Sequence, residues 1–71
     1  MSTTERAPVG GERLLLRPVE AAEMLGISRS LIYELAAAGE IGTVRMGSAL
    51  RIPRGEVEAY VARLLQEAAA R

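Results

Sequence analysis

The sequence predicts a small α+β domain, mostly helical, built from three helices and a two-stranded β-hairpin. Three observations predict it. Residues 18–38 hold two short amphipathic segments broken by Gly26-Ile27-Ser28. Residues 41–52 hold two runs of β-branched and aliphatic residues with Gly47-Ser48 between them. After Pro53, apolar side chains recur at helical spacing. Two helices across a three-residue turn that opens with Gly have the spacing of a helix-turn-helix, and the hairpin behind them takes the place of a wing. The layout is a small winged helix-turn-helix, and it predicts a reader of double-stranded DNA.

Each element has a local reason. Residues 1–12 mix Ser, Thr, Pro and Gly without periodicity and read as a disordered arm. Leu14-Leu15-Leu16 is too short for a helix before Pro18 and reads as an extended segment laid on the core. Pro18 suits a first helical turn, where its missing N–H costs nothing. Val19–Leu25 then place apolar residues at 21, 22, 24 and 25, with Glu20 and Glu23 expected in solvent. Gly26 suits a left-handed cap, and Ser28 an N-cap for a second helix over Arg29–Ala38. In that helix Leu31, Leu35 and Ala38, flanked by Ile32 and Ala36, form the expected buried stripe. Ser30, Tyr33, Glu34 and Ala37 form the outward face.

Ile41–Met46 and Ala49–Ile52 read as the hairpin strands. Alternation is expected to put Val44, Met46, Leu50 and Ile52 on one face and Arg45 and Arg51 together on the other. Val57, Tyr60, Val61, Leu64, Leu65 and Ala68 make the core stripe of the third helix, with contact to another copy conceivable beyond Leu64. The domain is expected over 13–66, with 67–71 fraying. The first and third helices are expected to bury the second between them.

Composition bounds the function. Seventy-one residues make one domain, with a core that must be economical. There is no Phe or Trp, and twelve alanines supply much of the apolar content. Stability is expected near the low end of the usual range of about 5–15 kcal/mol. The absence of Cys and His excludes disulfides and the common zinc sites. All nine carboxylates are Glu, with no His, Cys, Lys or Asp to partner them and no glycine-rich phosphate loop, which argues against an enzyme. No catalytic residue, metal, cofactor or small-molecule ligand is predicted. No run is long and apolar enough to cross a bilayer and residues 1–12 lack a signal-peptide pattern, so no membrane partner is expected and a cytoplasmic location is.

Net charge is zero, an objection to DNA binding that rests on neutralising phosphates. The distribution answers part of it. Residues 13–54 hold six Arg against four Glu, and 41–54 hold Arg45, Arg51 and Arg54 with no acid. Arg29 opens the second helix, where its charge opposes the helix dipole and favours an anionic partner; a solvated first-turn arginine is the plainer reading. On DNA it would meet a phosphate or a guanine edge. Tyr33 suits a phosphate or a thymine methyl, or equally partial burial beside the wing. Glu34 suits cytosine N4 or, more ordinarily, plain solvent. Arg45 and Arg51, if side by side, would repel unless DNA lay against them. Ser48 stands at the wing tip, and Arg54 either extends the basic patch or pairs with Glu56 or Glu58.

The run from Leu15 to Val61 resembles the excisionase-type DNA-binding domains, relatives of the winged helix-turn-helix in MerR-like regulators. The elements that carry the resemblance are VEAAEMLGISRSLIYELAAAGEI, then VRMG, then LRIPRGEVEAYV. It implies a recognition helix with Ser28, Arg29, Ser30, Tyr33 and Glu34 at the DNA, and a wing with Arg45, Ser48, Arg51 and Arg54. It also leads one to expect basic residues where Glu34 and Ala37 stand, a basic wing tip followed by Trp where this chain has Ser48-Ala49-Leu50, and Pro in place of Gly42. The first three differences remove positive charge, which implies weak binding to a single site. The role implied is an excisionase, a recombination directionality factor that binds repeated sites cooperatively, self-associates on DNA and assists an integrase. A small transcriptional regulator shares the same module. A domain that has lost DNA binding and docks a recombinase or polymerase is the third reading.

Overall fold

In the computed structural model, residues 13–70 are described; the expected N-terminal arm, 1–12, lies outside them. The chain forms β1 (Leu15–Leu16), α1 (Pro18–Leu25), α2 (Arg29–Ala37), β2 (Val44–Met46), β3 (Ala49–Pro53) and α3 (Arg54–Ala69). Within the Leu14–Leu16 segment, Leu15 and Leu16 form a true strand. β1 pairs antiparallel with β3, so the sheet has three strands in the order β1-β3-β2. Three helices and this small sheet form the winged helix-turn-helix.

Both helices of the helix-turn-helix end in the same way. Gly26 sits at φ 71°, with Ile27 N–H bonded to the Ala22 carbonyl at 3.0 Å. Gly39 sits at φ 75°, with Glu40 N–H bonded to the Leu35 carbonyl at 2.9 Å. These are paired glycine stops that satisfy the last carbonyls of each helix. The second stop falls one residue earlier than expected, with Ala38 as the cap and not the last helical residue. Ser28 caps α2 as its sequence position suggests, its Oγ accepting from Leu31 N–H at 3.1 Å.

The core is small: Leu16, Ala21, Ala22, Ile32, Ile41, Ile52 and Val57. Leu25, Ile27, Leu35, Ala36 and Tyr60 pack around it, half-buried. α1 packs on α2, and α3 packs on β3 and α1. α2 therefore packs mainly against α1, with α3 reaching the shared core through Val57 and Tyr60. Of the α2 stripe only Ile32 is buried, while Leu31 and Ala38 are exposed. Ile41 was expected inside a strand; it is instead a buried anchor in the connector before β2.

Glu20 corrects the reading of α1. It is 3% exposed, not solvated. Its Oε1 accepts from Arg17 N–H at 2.9 Å, and its Oε2 meets the Arg13 guanidinium at 2.7 Å and that of Arg17 at 3.3 Å. The Arg17 N–H bond, aided by the two guanidinium charges, holds its carboxyl below the ordinary value of 4.5 against the opposing pull of burial. A carboxylate three residues into a helix satisfies a free backbone N–H and complements the dipole.

α3 also departs from expectation. Val57 alone of its stripe is buried; Val61 and Leu64 are exposed, and Leu65 is 66% exposed. The periodicity is real, but among the described residues no element packs over it. The helix runs on to Ala69, through residues expected to fray.

Candidate nucleic-acid interface

The outward face of α2 is as its periodicity implies. Arg29, Ser30, Tyr33, Glu34 and Ala37 are all exposed, Tyr33 by 45%. The wing rises beside this face. Gly47, at φ 61°, opens a two-residue turn with Ser48 at its exposed tip. A positive φ at that position is what tight hairpin turns require.

The register overturns the expected arrangement of the wing arginines. Val44 pairs with Arg51, Arg45 with Leu50, and Met46 with Ala49. Paired residues share a face, so Val44, Met46, Ala49 and Arg51 lie on one side, and Arg45, Leu50 and Ile52 on the other. Alternation within each strand was read correctly. A two-residue loop, however, pairs even positions with odd ones, so the parity reverses across the turn. Arg45 and Arg51 point apart, and the repulsion argued between them does not arise.

Arg45 instead faces α2. A cleft of about 220 Å³ lies between helix and wing, lined by Tyr33, Ala36, Ala37, Thr43, Arg45 and Leu50. Thr43, Ala36 and Leu50 were not singled out from the sequence. Ala36 and Leu50 read as core, and only the register reveals that they wall a groove. Arg51 lies outside this groove, its guanidinium donating to the Leu50 carbonyl at 2.9 Å. Arg54 opens α3 and meets Glu58 at 3.6 Å, one of the two acidic partners expected for it.

The electrostatics separate the arginines into two sets. Arg13 and Arg17 serve Glu20, Arg51 bonds Leu50, Arg54 pairs with Glu58, and Arg63 pairs with Glu40. Among the described residues, Arg29 and Arg45 alone of the arginines have no partner within the molecule. Arg29 opens the exposed helix, and Arg45 lines the cleft between that helix and the wing. Ser28, by contrast, spends its hydroxyl on the cap and holds α2 in place. Glu34 has no partner either. No group of residues suited to a metal ion occurs among the described residues, and no helix there is long and apolar enough to cross a membrane.

An exposed, capped second helix beside a hairpin that turns a basic side chain, Arg45, toward it defines the winged helix-turn-helix class of DNA-binding domain. The comparisons agree: residues 15–64 match the model of the helix-turn-helix domain family, and the chain belongs to that family. It is 47% identical over 58 residues to a protein named "Probable excisionase" from Saccharopolyspora erythraea. That alignment covers 82% of this chain and 59% of the relative, so the chain spans less than two-thirds of that protein's length. No solved structure matches the chain significantly.

Proposed function

We propose that this chain is a sequence-specific double-stranded DNA-binding protein that acts as an excisionase. The observation that carries the DNA reading is the pair of unpartnered guanidiniums, Arg29 at the start of the exposed helix and Arg45 on the wing side of the cleft beside that helix. α2 enters the major groove with Arg29, Ser30, Tyr33 and Glu34 toward base edges and phosphates. A backbone strand lies in the cleft, where Arg45 neutralises a phosphate and the Tyr33 hydroxyl donates to another. Ser48 approaches the flanking backbone from the wing tip. Arg51 and Arg54, outside the cleft, add long-range charge only.

Two free cations make a weak single-site binder. That suits a protein that occupies repeated sites cooperatively and gains affinity from its neighbours. The similarity to a probable excisionase supports the excision role, in which bound copies bend the DNA and bias an integrase toward excision.

The test is fluorescence anisotropy at two salt concentrations, with a duplex from the DNA flanking the gene and a scrambled control. Two phosphates neutralised per copy, one each by Arg29 and Arg45, predict that log K falls with log salt at a slope of about −2 for one site. Multi-site duplexes are expected to bind more tightly per site than isolated ones. Equal affinity per site removes cooperativity from the proposal and favours a promoter regulator. Absence of any duplex binding removes the DNA reading altogether and leaves a protein partner as the alternative.

A further inference from the structure

We propose that Glu56, on α3, is the positioning residue that sets the distance between the wing and the recognition helix. The chain passes from α2 to the wing through residues 40–43. Three consecutive residues of this connector are held by the body of the domain. The Glu40 carbonyl accepts from the Arg63 guanidinium, whose charge also meets the Glu40 carboxylate at 3.6 Å and stands 5.4 Å from the Tyr60 ring centroid. Ile41 is buried in the core, 2% exposed. Gly42 N–H donates to Glu56 Oε1 at 3.1 Å, across fourteen residues of sequence.

Gly42 is small for a reason that the bond supplies. A Cβ placed there would lie 2.6 Å from both the carboxyl carbon and Oε1 of Glu56. Only glycine lets the carboxylate come this close to the backbone. The next residues along the chain, Thr43 and Arg45, line the cleft. β2 is an edge strand, hydrogen-bonded to β3 alone and exposed throughout. Its other tether is the connector, and the Gly42–Glu56 bond is the last contact that holds the connector before the chain enters the outer wall of the groove. Glu56 thereby acts on the groove from a helix that supplies none of its lining. The consequence for DNA rests on the reading above; the positioning itself does not.

Residual dipolar couplings on the free protein test the positioning without DNA. In the wild type, amides of α2 and of 44–51 are expected to fit one alignment. In Glu56→Ala they are expected to need two, while Glu56→Gln, which keeps an acceptor oxygen, stays with the wild type. Gly42→Ala drives the carboxylate away and is expected to reproduce Glu56→Ala, with the double variant no worse than either single one. Thermal unfolding of Glu56→Ala is expected to stay within a few degrees of wild type, because Glu56 is exposed.

With a duplex that the wild type selects from a randomised library, Glu56→Ala is expected to lose about tenfold in affinity, the scale of one phosphate or base contact. Ethylation interference is expected to weaken at the wing's phosphates alone. A single alignment in Glu56→Ala, or additive losses in the double variant, overturns the positioning role. Two alignments with unchanged DNA affinity overturn its functional consequence. Separate alignments together with no duplex selected by any variant leave the positioning in place and overturn the DNA reading.

Discussion

The two ends of this small domain treat charge in opposite ways. At the end formed by β1 and the start of α1, Glu20 is buried and saturated, with one backbone N–H and two guanidiniums on its two oxygens. On the face formed by α2 and the wing, Arg29, Glu34 and Arg45 reach into solvent without a partner. A protein with zero net charge still presents a charged face, because glutamates pair with Arg13, Arg17, Arg54 and Arg63 and leave Arg29 and Arg45 unpaired. Net charge is therefore a poor guide to the partner. Which charges are already spent is the better one.

The sharpest way to break the comparison is to remove what both ends stand on. Ile32 is fully buried on the inner side of the helix whose outer side faces the groove. Ile32→Ala is expected to cost about 3 kcal/mol by lost transfer energy and an unfilled cavity. In a domain with so small a core, that lowers the unfolding midpoint by more than about 10 °C. Calorimetry checks it. An unchanged midpoint means that the core tolerates the cavity and that Ile32 is not its keystone.

The next effect isolates the saturated end. Glu20→Ala is expected to cost about 2 kcal/mol, the scale of charge-assisted hydrogen bonds left unmade. Since the folded state holds the Glu20 carboxyl below its ordinary value, its contribution is complete above that value and is lost as pH falls through the folded one. Wild type is therefore expected to lose stability on acidification below about pH 4.5, and Glu20→Gln to lose less over the same range. Parallel curves for the two would assign the acid sensitivity to other carboxylates.

The contrasting result belongs to the groove. Arg29→Ala and Arg45→Ala are expected to leave the unfolding midpoint within a few degrees of wild type, since neither holds anything in the fold. Each is expected to weaken DNA binding about tenfold and to reduce the salt slope by about one. Arg51→Ala, on the far side of the hairpin, is expected to change binding little. A larger loss from Arg51→Ala than from Arg45→Ala would place the DNA on the other face of the wing.

Much of this division was legible in the sequence. The glycine stops, the Ser28 cap, the hairpin turn and the outward face of α2 are local, and local rules find them. What escaped depends on pairing at a distance. The facing of Arg45 and Arg51 turns on register, which alternation within one strand does not fix. Glu20 was read as solvated because helical periodicity carries no knowledge of two arginines converging on it, although its place three residues after Arg17 carried a capping signal. Val61, Leu64 and Leu65 kept a core-like pattern that nothing among the described residues covers. Gly42 drew notice only as a departure from the resembling domains, and its reason lies fourteen residues away in Glu56.

The smallest expected effect concerns Glu34, and it sharpens the comparison most. An unpartnered carboxylate on the recognition face repels every phosphate near it. In the major groove the donors that meet it are the exocyclic amines, and cytosine N4 is the usual partner of Glu. Glu34→Gln keeps an acceptor oxygen and removes the charge. It is expected to raise affinity for scrambled duplexes a few-fold and to relax a preference for cytosine at a single position, both read by selection from a randomised library. If all duplexes gain equally and the selected sequence stays the same, Glu34 tunes charge and reads nothing. If the preference at one position fades while its neighbours hold, the unspent acid is as much part of the reading face as the two unspent arginines.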